Sequence, residues 1–253
     1  MYSSFRMFLR TIQASSFRNI FEVLKDIIND VNIYFDAKGV HIDTLDTARV
    51  SLVHVFLAAE NFEEYSCPTE IIAGINISNT YKLLKSITGN DTFSMAINDS
   101  EYMDIMIRNE DKKSSTKFRL KLLEIDEEIL EVPDVPMDTI TTIPSIDFQR
   151  ICRDMGNLSN EITIHRDLTN LQLSCTGDFA NQSTSIACPD ATKTPVGNTY
   201  SLKYINLFTK ATGMCSNVQL FQSSEDPDMP IIVRYSVANL GEMKFYLAPK
   251  TTV

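Results

Sequence analysis

The sequence has no apolar run near the roughly 18–20 residues needed to cross a bilayer, so no membrane-spanning helix and no membrane partner are expected. Near the N-terminus only Met7, Phe8 and Leu9 lie between Arg6 and Arg10, too short a stretch for a secretory leader, and an intracellular protein is expected. No CxxC pair exists. Cys67, Cys152, Cys175, Cys188 and Cys215 are odd in number and far apart, which fits reduced thiols packed as small hydrophobes and gives a zinc site little support. The phosphate-cradling patterns GxxxxGK[ST] and GxGxxG are missing. His41, His54 and His165 show no HxxH or HxxxH spacing and fall in strand-like runs. The carboxylate pairs Asp43/Asp46 and Asp226/Asp228 sit in loop-like or strand-end contexts and need no metal. No catalytic constellation, metal or cofactor is expected, and the chain reads as a non-enzyme. It also lacks a basic excess. Lys and Arg total 23 against 33 Asp and Glu, a net charge of -10, which taken alone argues against a nucleic-acid partner.

What is present is an ordinary folded composition, 43% hydrophobic and 22% charged, over a length that accommodates two lobes of about 120 residues each. Four segments carry a helical stripe. Phe17 to Asn29 has apolar Phe17, Ile20, Phe21, Leu24, Ile27 and Ile28, with Ser15 and Ser16 as expected N-caps. Ser78 to Thr88 is striped by Tyr81, Leu84 and Ile87 and stopped by Gly89-Asn90. Ile146 to Met155 and Ser201 to Thr212 follow the same rule, with Gly156 and Gly213 beyond them. Between the helices lie period-two runs, including Val31–Phe35, Val40–Leu45, Val50–Leu57, Thr92–Asn98, Tyr102–Arg108 and Thr116–Leu123. Later come Glu161–Arg166, Leu171–Cys175, Thr184–Ala187, Val218–Gln222, Ile231–Val237 and Lys244–Leu247. All read as antiparallel strands.

The order helix, strands, helix, strands occurs twice. Phe17 to Arg49 parallels Phe148 to Gln182, Asn76 to Ile97 parallels Thr199 to Phe221, and Tyr102 to Leu122 parallels Met229 to Leu247. This predicts two similar α+β lobes, residues 1–125 and 139–253, each with two helices on one face of antiparallel sheet. Residues 126–138 hold Pro133, Pro136 and the acids Asp126, Glu127, Glu128 and Glu131, the composition of an extended solvated connector.

The basic residues are placed unevenly. The four helices carry Arg18 and Lys25, Lys82 and Lys85, Arg150 and Arg153, and Lys203 and Lys210. Spacings of three and seven put each pair on one face, opposite the apolar stripe. Single pairs of this kind often serve solubility alone. Four in a chain of net charge -10 point instead to weak phosphate contacts, which hold nucleic acid without reading its sequence. Glu22, Asp26 and Asp154 dilute the field.

Five segments carry a resemblance: Glu22-Val-Leu-Lys-Asp-Ile-Ile-Asn29, Asp46-Thr-Ala-Arg-Val-Ser-Leu-Val53, Phe148-Gln-Arg-Ile-Cys-Arg-Asp154, Leu207-Phe-Thr-Lys-Ala-Thr212 and Tyr246-Leu-Ala-Pro-Lys250. From about Met7 to Lys250 the chain resembles, in collinear order, the eukaryotic-type DNA sliding clamp, the proliferating cell nuclear antigen family. The resemblance implies the DNA-clamp fold, ring-forming, with helices on the inner face and sheets outside. It implies a homotrimer that encircles double-stranded DNA and raises polymerase processivity in replication and repair, in a nucleus or a viral replication compartment. The eight basic residues above match its DNA-binding positions. Subunits would join by edge strands, through Thr116, Phe118 and Leu120 on one side and Asp178, Thr184 and Ile186 on the other. DNA polymerase, a clamp loader and other proteins would insert clamp-binding peptides at Leu45, Arg49, Val50, Leu52, Leu130, Val132, Pro133, Pro230, Tyr246, Ala248 and Pro249. Arg49 stands where the family often has His, Leu45 where it often has Met, Asn19 at an often basic position, and Leu168 in place of a lysine that animal and fungal members modify. The alternative reading is one subunit of a heterotrimeric checkpoint-type clamp acting mainly as a protein scaffold.

Overall fold

The turns at Asp36 and Asp167 are built the same way. Asp36 Oδ1 accepts the N–H groups of Lys38 and Gly39, and Asp167 Oδ1 accepts those of Thr169 and Asn170. Each turn joins two antiparallel strands, and each belongs to one copy of a repeated unit. In this computed structural model residues 5–126, 130, 137–188, 194–226 and 228–250 are described. The chain divides into two compact units: residues 1–47, 54–131 and 236–243, and residues 48–53, 132–235 and 244–253.

The first half of the chain follows the order β1 (Met7–Thr11), α1 (Ala14–Leu24), β2 (Asp30–Phe35), β3 (Gly39–Leu45), β4 (Ser51–Ala58), β5 (Glu64–Ser66), β6 (Ile71–Asn76), α2 (Ile77–Leu84), β7 (Asp91–Ile97), β8 (Tyr102–Asn109) and β9 (Ser114–Lys121). One sheet runs β5-β1-β7-β8-β9, and β4, β3, β2 and β6 are neighbours in that order in another. The second half of the chain repeats the plan: β10 (Thr139–Pro144), α3 (Ser145–Met155), β11 (Glu161–Arg166), β12 (Asn170–Thr176), β13 (Asn181–Ala187), β14 (Val196–Ser201), α4 (Leu202–Phe208), β15 (Asn217–Gln222), β16 (Ile231–Val237) and β17 (Gly241–Leu247). One sheet there runs β13-β12-β11-β14, and β10, β15, β16 and β17 are neighbours in that order in another. Strand for strand these match the first half, which adds only the short β5.

Alternation builds each core. β1, β4 and β10 bury every second residue, and the apolar stripes of α1 and α3 close over the sheets. Phe17 on α1 stacks on Phe93 of β7 at 4.5 Å between ring centroids, and Phe208 on α4 stacks on Phe245 of β17 at the same distance. Burying such rings contributes on the order of 2–3 kcal/mol each. Gly39, at φ +149, has no room for a Cβ, which would lie 2.0 Å from the Leu57 carbonyl oxygen.

Several expectations need correction. Ser15 and Ser16 do not cap α1. The helix starts at Ala14, and Gln13 precedes it without a side-chain cap. The second helix starts at Ile77, where the Asn76 side chain accepts the Asn79 N–H at 2.9 Å, and it ends at Leu84, before Gly89. Gly156 follows α3 with φ -63, so the right-handed helical turn continues through it. The expected fourth helix is α-helical only to Phe208 and continues as a 3-10 helix over Thr209–Met214. Asp43 lies within β3 and bonds His54 Nδ1 at 2.6 Å, a cross-strand pair that occupies both groups. Among the described residues no cluster of metal-ligating side chains occurs, and no helix is long and apolar enough to cross a membrane.

Candidate nucleic-acid interface

The apolar stripes fix which way each helix presents its charges. In the first unit Phe17, Ile20, Phe21 and Leu24 turn inward on α1, as do Ile77, Thr80 and Leu84 on α2. Lys82 and Lys85 are therefore exposed, with Lys82 Nζ 3.0 Å from Asn79 Oδ1. Arg18 and Lys25 are half-buried. The Arg18 guanidinium donates to the Ile87 carbonyl at 2.8 Å and to Asn19 Oδ1 at 2.8 Å, bracing α1 against the segment after α2. Lys25 lies 3.2 Å from Asp26 and 5.3 Å from the centre of the Tyr81 ring. Two of the four cations in this unit thus have work inside it.

In the second unit Phe148, Ile151, Cys152 and Met155 face inward, leaving Arg150 and Arg153 exposed. Asp147 lies 3.5 Å from Arg150, and Asp154 lies 3.6 Å from Arg153. Lys203 is exposed, its Nζ 5.6 Å from the centre of the Tyr204 ring, and Lys210 is exposed on the 3-10 helix. The seven-residue spacing of Lys203 and Lys210 does not by itself place them on one face, because a 3-10 turn takes three residues and not 3.6. Surface pairs of this kind are worth about 0–1 kcal/mol. A phosphate competes with them easily, so these pairs do not withdraw Arg150 and Arg153 from a polyanion.

The other expected sites are placed as follows. Thr116, Phe118 and Leu120 lie on β9, and Thr184 and Ile186 on β13; both strands stand at the end of a sheet in the strand order. Asp178 sits in the tight turn before β13. Leu45 and Leu130 are half-buried in the first unit. Arg49, Val50, Leu52, Pro230, Tyr246, Ala248 and Pro249 belong to the second. Val50 is 43% exposed and Arg49 holds a left-handed φ of 57, whereas Tyr246 is buried. Val132 and Pro133 lie outside the described residues, as does most of the expected connector. Two features have no signature in the sequence pattern. Phe179 is 79% exposed at the tip of the β12–β13 hairpin. On β8 and β9, Arg119 stacks over Tyr102 at 4.8 Å to the ring centre.

A lobe of two helices closing over antiparallel sheets, repeated once in the chain, with exposed cations on the helices of both copies, defines the two-lobe DNA-clamp fold. Family models agree: the N-terminal domain of proliferating cell nuclear antigen matches residues 7–129 and its C-terminal domain residues 131–250. The chain belongs to the proliferating cell nuclear antigen family and is a DNA sliding clamp. One relative, the probable DNA polymerase sliding clamp 1 of Paramecium bursaria Chlorella virus 1, is 38% identical over 253 residues, with 95% of each chain covered. Clamps of this family are non-enzymatic processivity factors in DNA replication.

Proposed function

We propose that three copies of this chain close into a ring around duplex DNA, with α1–α4 toward the duplex, and that the ring tethers a DNA polymerase and other replication and repair proteins. The supporting observation is the placement of charge. Lys82, Lys85, Arg150, Arg153, Lys203 and Lys210 are exposed on the helices of both units in a chain of net charge -10. Cations carried on helices meet phosphates without base readout, which holds DNA and leaves it free to slide. The acidic remainder disfavours DNA binding elsewhere on the surface. Arg18 and Lys25 contribute less, being engaged within their lobe.

The division into lobes at 1–125 and 139–253, joined by 126–138, belongs to this reading. So does a site for partner peptides, including those of a clamp loader, at Leu45, Arg49, Val50, Leu52, Leu130, Val132, Pro133, Pro230, Tyr246, Ala248 and Pro249. Exposed Val50 beside half-buried Leu52 is apolar surface of the kind an aromatic anchor desolvates. Arg49 and Leu45 set the partner preference, and exposed Leu168 offers no amine for modification. The ring works in a nucleus or a viral replication compartment.

Light scattering on the purified chain tests the assembly. A mass three times 28.6 kDa is expected. A monomer at all concentrations, with the trimer appearing only when other chains are added, favours a heterotrimeric clamp.

A further inference from the structure

The sheet β5-β1-β7-β8-β9 lies wholly within the first unit and has two unlike faces. One face takes α1: Phe17 stacks on Phe93, and Met95, Ile97 and Ile105 are buried on the same side. Side chains alternate along a strand, so Phe8, Ser94, Ala96, Asp104 and Met106 point the other way. Two of these are small, and both stand on the middle strand, β7. Ala96 lies between Phe8 and Asp104 on the flanking strands, and Ser94 between Arg10 and Met106. The larger neighbours leave a hollow of about 290 Å³ over the two small residues. Phe5 and Phe8 wall it on one side and Met106 on the other, with Lys117 at its margin. At about 30 Å³ per water the hollow equals about ten waters, room enough for one aromatic side chain.

This face also departs from the acidic remainder of the surface. Its five strands present five cations, Arg10, Arg108, Lys117, Arg119 and Lys121, against the carboxylates of Glu64 and Asp104. Both carboxylates are already paired, Glu64 with Arg10 and Asp104 with Arg119, and Asp99 in the β7–β8 loop lies 3.8 Å from Arg119. Among the described residues Lys117 and Lys121 have no ion pair. We propose that the hollow receives an aromatic side chain of a partner protein, and that Lys117 and Lys121 receive acidic residues on the same peptide segment. The two lysines are about 13 Å apart along β9, the reach of four extended residues. Nucleic acid would meet the same cations, but on a sheet it also needs free ring faces on which bases stack. Here Phe5 and Phe8 stack on each other, 5.7 Å between ring centroids, and Arg119 covers the Tyr102 ring. An acidic peptide with one apolar anchor therefore fits this face better than a nucleic-acid strand. The site shares no residue with the peptide site proposed at Leu45 and does not depend on it.

Met106 in the wall supplies its own probe. The full-length chain is labelled with carbon-13 at the methionine methyl groups, the Met106 signal is assigned with Met106→Leu, and a synthetic heptapeptide is titrated in, one phenylalanine with three acidic residues on either side. The Met106 signal is expected to shift saturably. The same peptide with serine for phenylalanine should bind about tenfold or more weakly, and so should the acidic peptide to Ala96→Leu, which fills the hollow. Lys117 is exposed, so Lys117→Glu leaves the fold intact, and it should weaken binding about fivefold. Leu45→Asp should leave the titration unchanged. A Met106 signal that the peptide does not move, or that it moves equally in Lys117→Glu, overturns the proposal. An oligothymidine strand that shifts Met106 at lower concentration than the peptide overturns it in favour of nucleic acid. Binding lost in Leu45→Asp and kept in Ala96→Leu assigns the peptide to the Leu45 site and overturns the hollow. Light scattering on the same variants reads the trimer separately, so failure here leaves the ring standing.

Discussion

The Arg18 guanidinium donates to the carbonyl oxygen of Ile87 across 2.8 Å, joining the first helix to the segment that follows the second. A residue expected to serve DNA alone therefore also holds its own lobe together. Removing it leaves a half-buried carbonyl without its charged donor, which costs about 1–3 kcal/mol. Arg18→Ala should lower the melting temperature measurably, whereas Lys85→Ala on the same lobe should leave it unchanged. Equal melting temperatures for the two variants would show that the Arg18 bond contributes nothing to the fold.

The exposed cations are expected to act on DNA and not on stability. Replacing Lys82, Lys85, Arg150 and Arg153 with Ala should keep the unfolding free energy within about 1 kcal/mol. The slope of log affinity for duplex DNA against log salt should flatten by about 0.9 for each phosphate that the variant no longer neutralises. Polymerase processivity at physiological salt should fall. A fourfold variant with an unaltered slope and unaltered processivity would remove these residues from the DNA-facing surface.

Asp91 makes the lobe sensitive to acid. Burial alone would raise its pKa. The Thr88 N–H at 2.7 Å, the Asn109 amide at 2.6 Å and the Thr88 hydroxyl at 3.1 Å, with the Lys112 cation, outweigh burial and hold the carboxyl below its usual value. A carboxylate whose folded pKa is depressed adds stability above its unfolded pKa of about 4, and that stability is lost as pH falls through the lower folded value. Asp91→Ala should cost about 1–3 kcal/mol at neutral pH, since it leaves the buried Asn109 amide unmet. Denaturant titrations at pH 7 and pH 3 check the sign: the gap between wild type and variant should narrow in acid, and a gap that widens would contradict it.

How much of this was legible in the sequence depended on where hydropathy and burial agree. The stripes of α1 and α3 were visible because the apolar residues that repeat at helical spacing, from Phe17 onward and from Phe148 onward, are buried. Strand β10 was not visible. It buries Thr139, Thr141 and Ile143 and leaves Ile140 48% exposed, so hydropathy points to the wrong face. Strands β6 and β14 were hidden by Gly74 and by Gly197 with Asn198, residues that depress strand propensity. β1 and β5 are only five and three residues long. The expected parallel of Asn76 with Thr199 is two residues off at the second helix, where the structure pairs Ile77 with Leu202. Both of their N–H groups bond the carbonyl of an asparagine ahead of the lobe's first inner strand, Asn29 or Asn160. The cations were legible as to face, but not as to which are engaged. The bond from Arg18 to Ile87 spans 69 residues, and no local spacing encodes it.

The peptide site makes a separate prediction. A fluorescent peptide with aromatic anchors of the clamp-binding type should bind the wild-type chain. Leu45→Asp, which sets a charge where an aromatic ring is to be desolvated, should weaken it at least tenfold, about 1.4 kcal/mol. Fluorescence anisotropy reads the difference. Equal affinities for the two proteins would move the site elsewhere.

The central claim is a topological one, that the assembled chain surrounds DNA instead of adhering to it. Clamp placed by a clamp loader on a nicked circular duplex and passed through a gel-filtration column at physiological salt should co-elute with the circle. Cutting that circle once with a restriction enzyme should release the protein within minutes, because a ring slides off an open end. Protein that stays on the linear duplex after the cut would contradict the account.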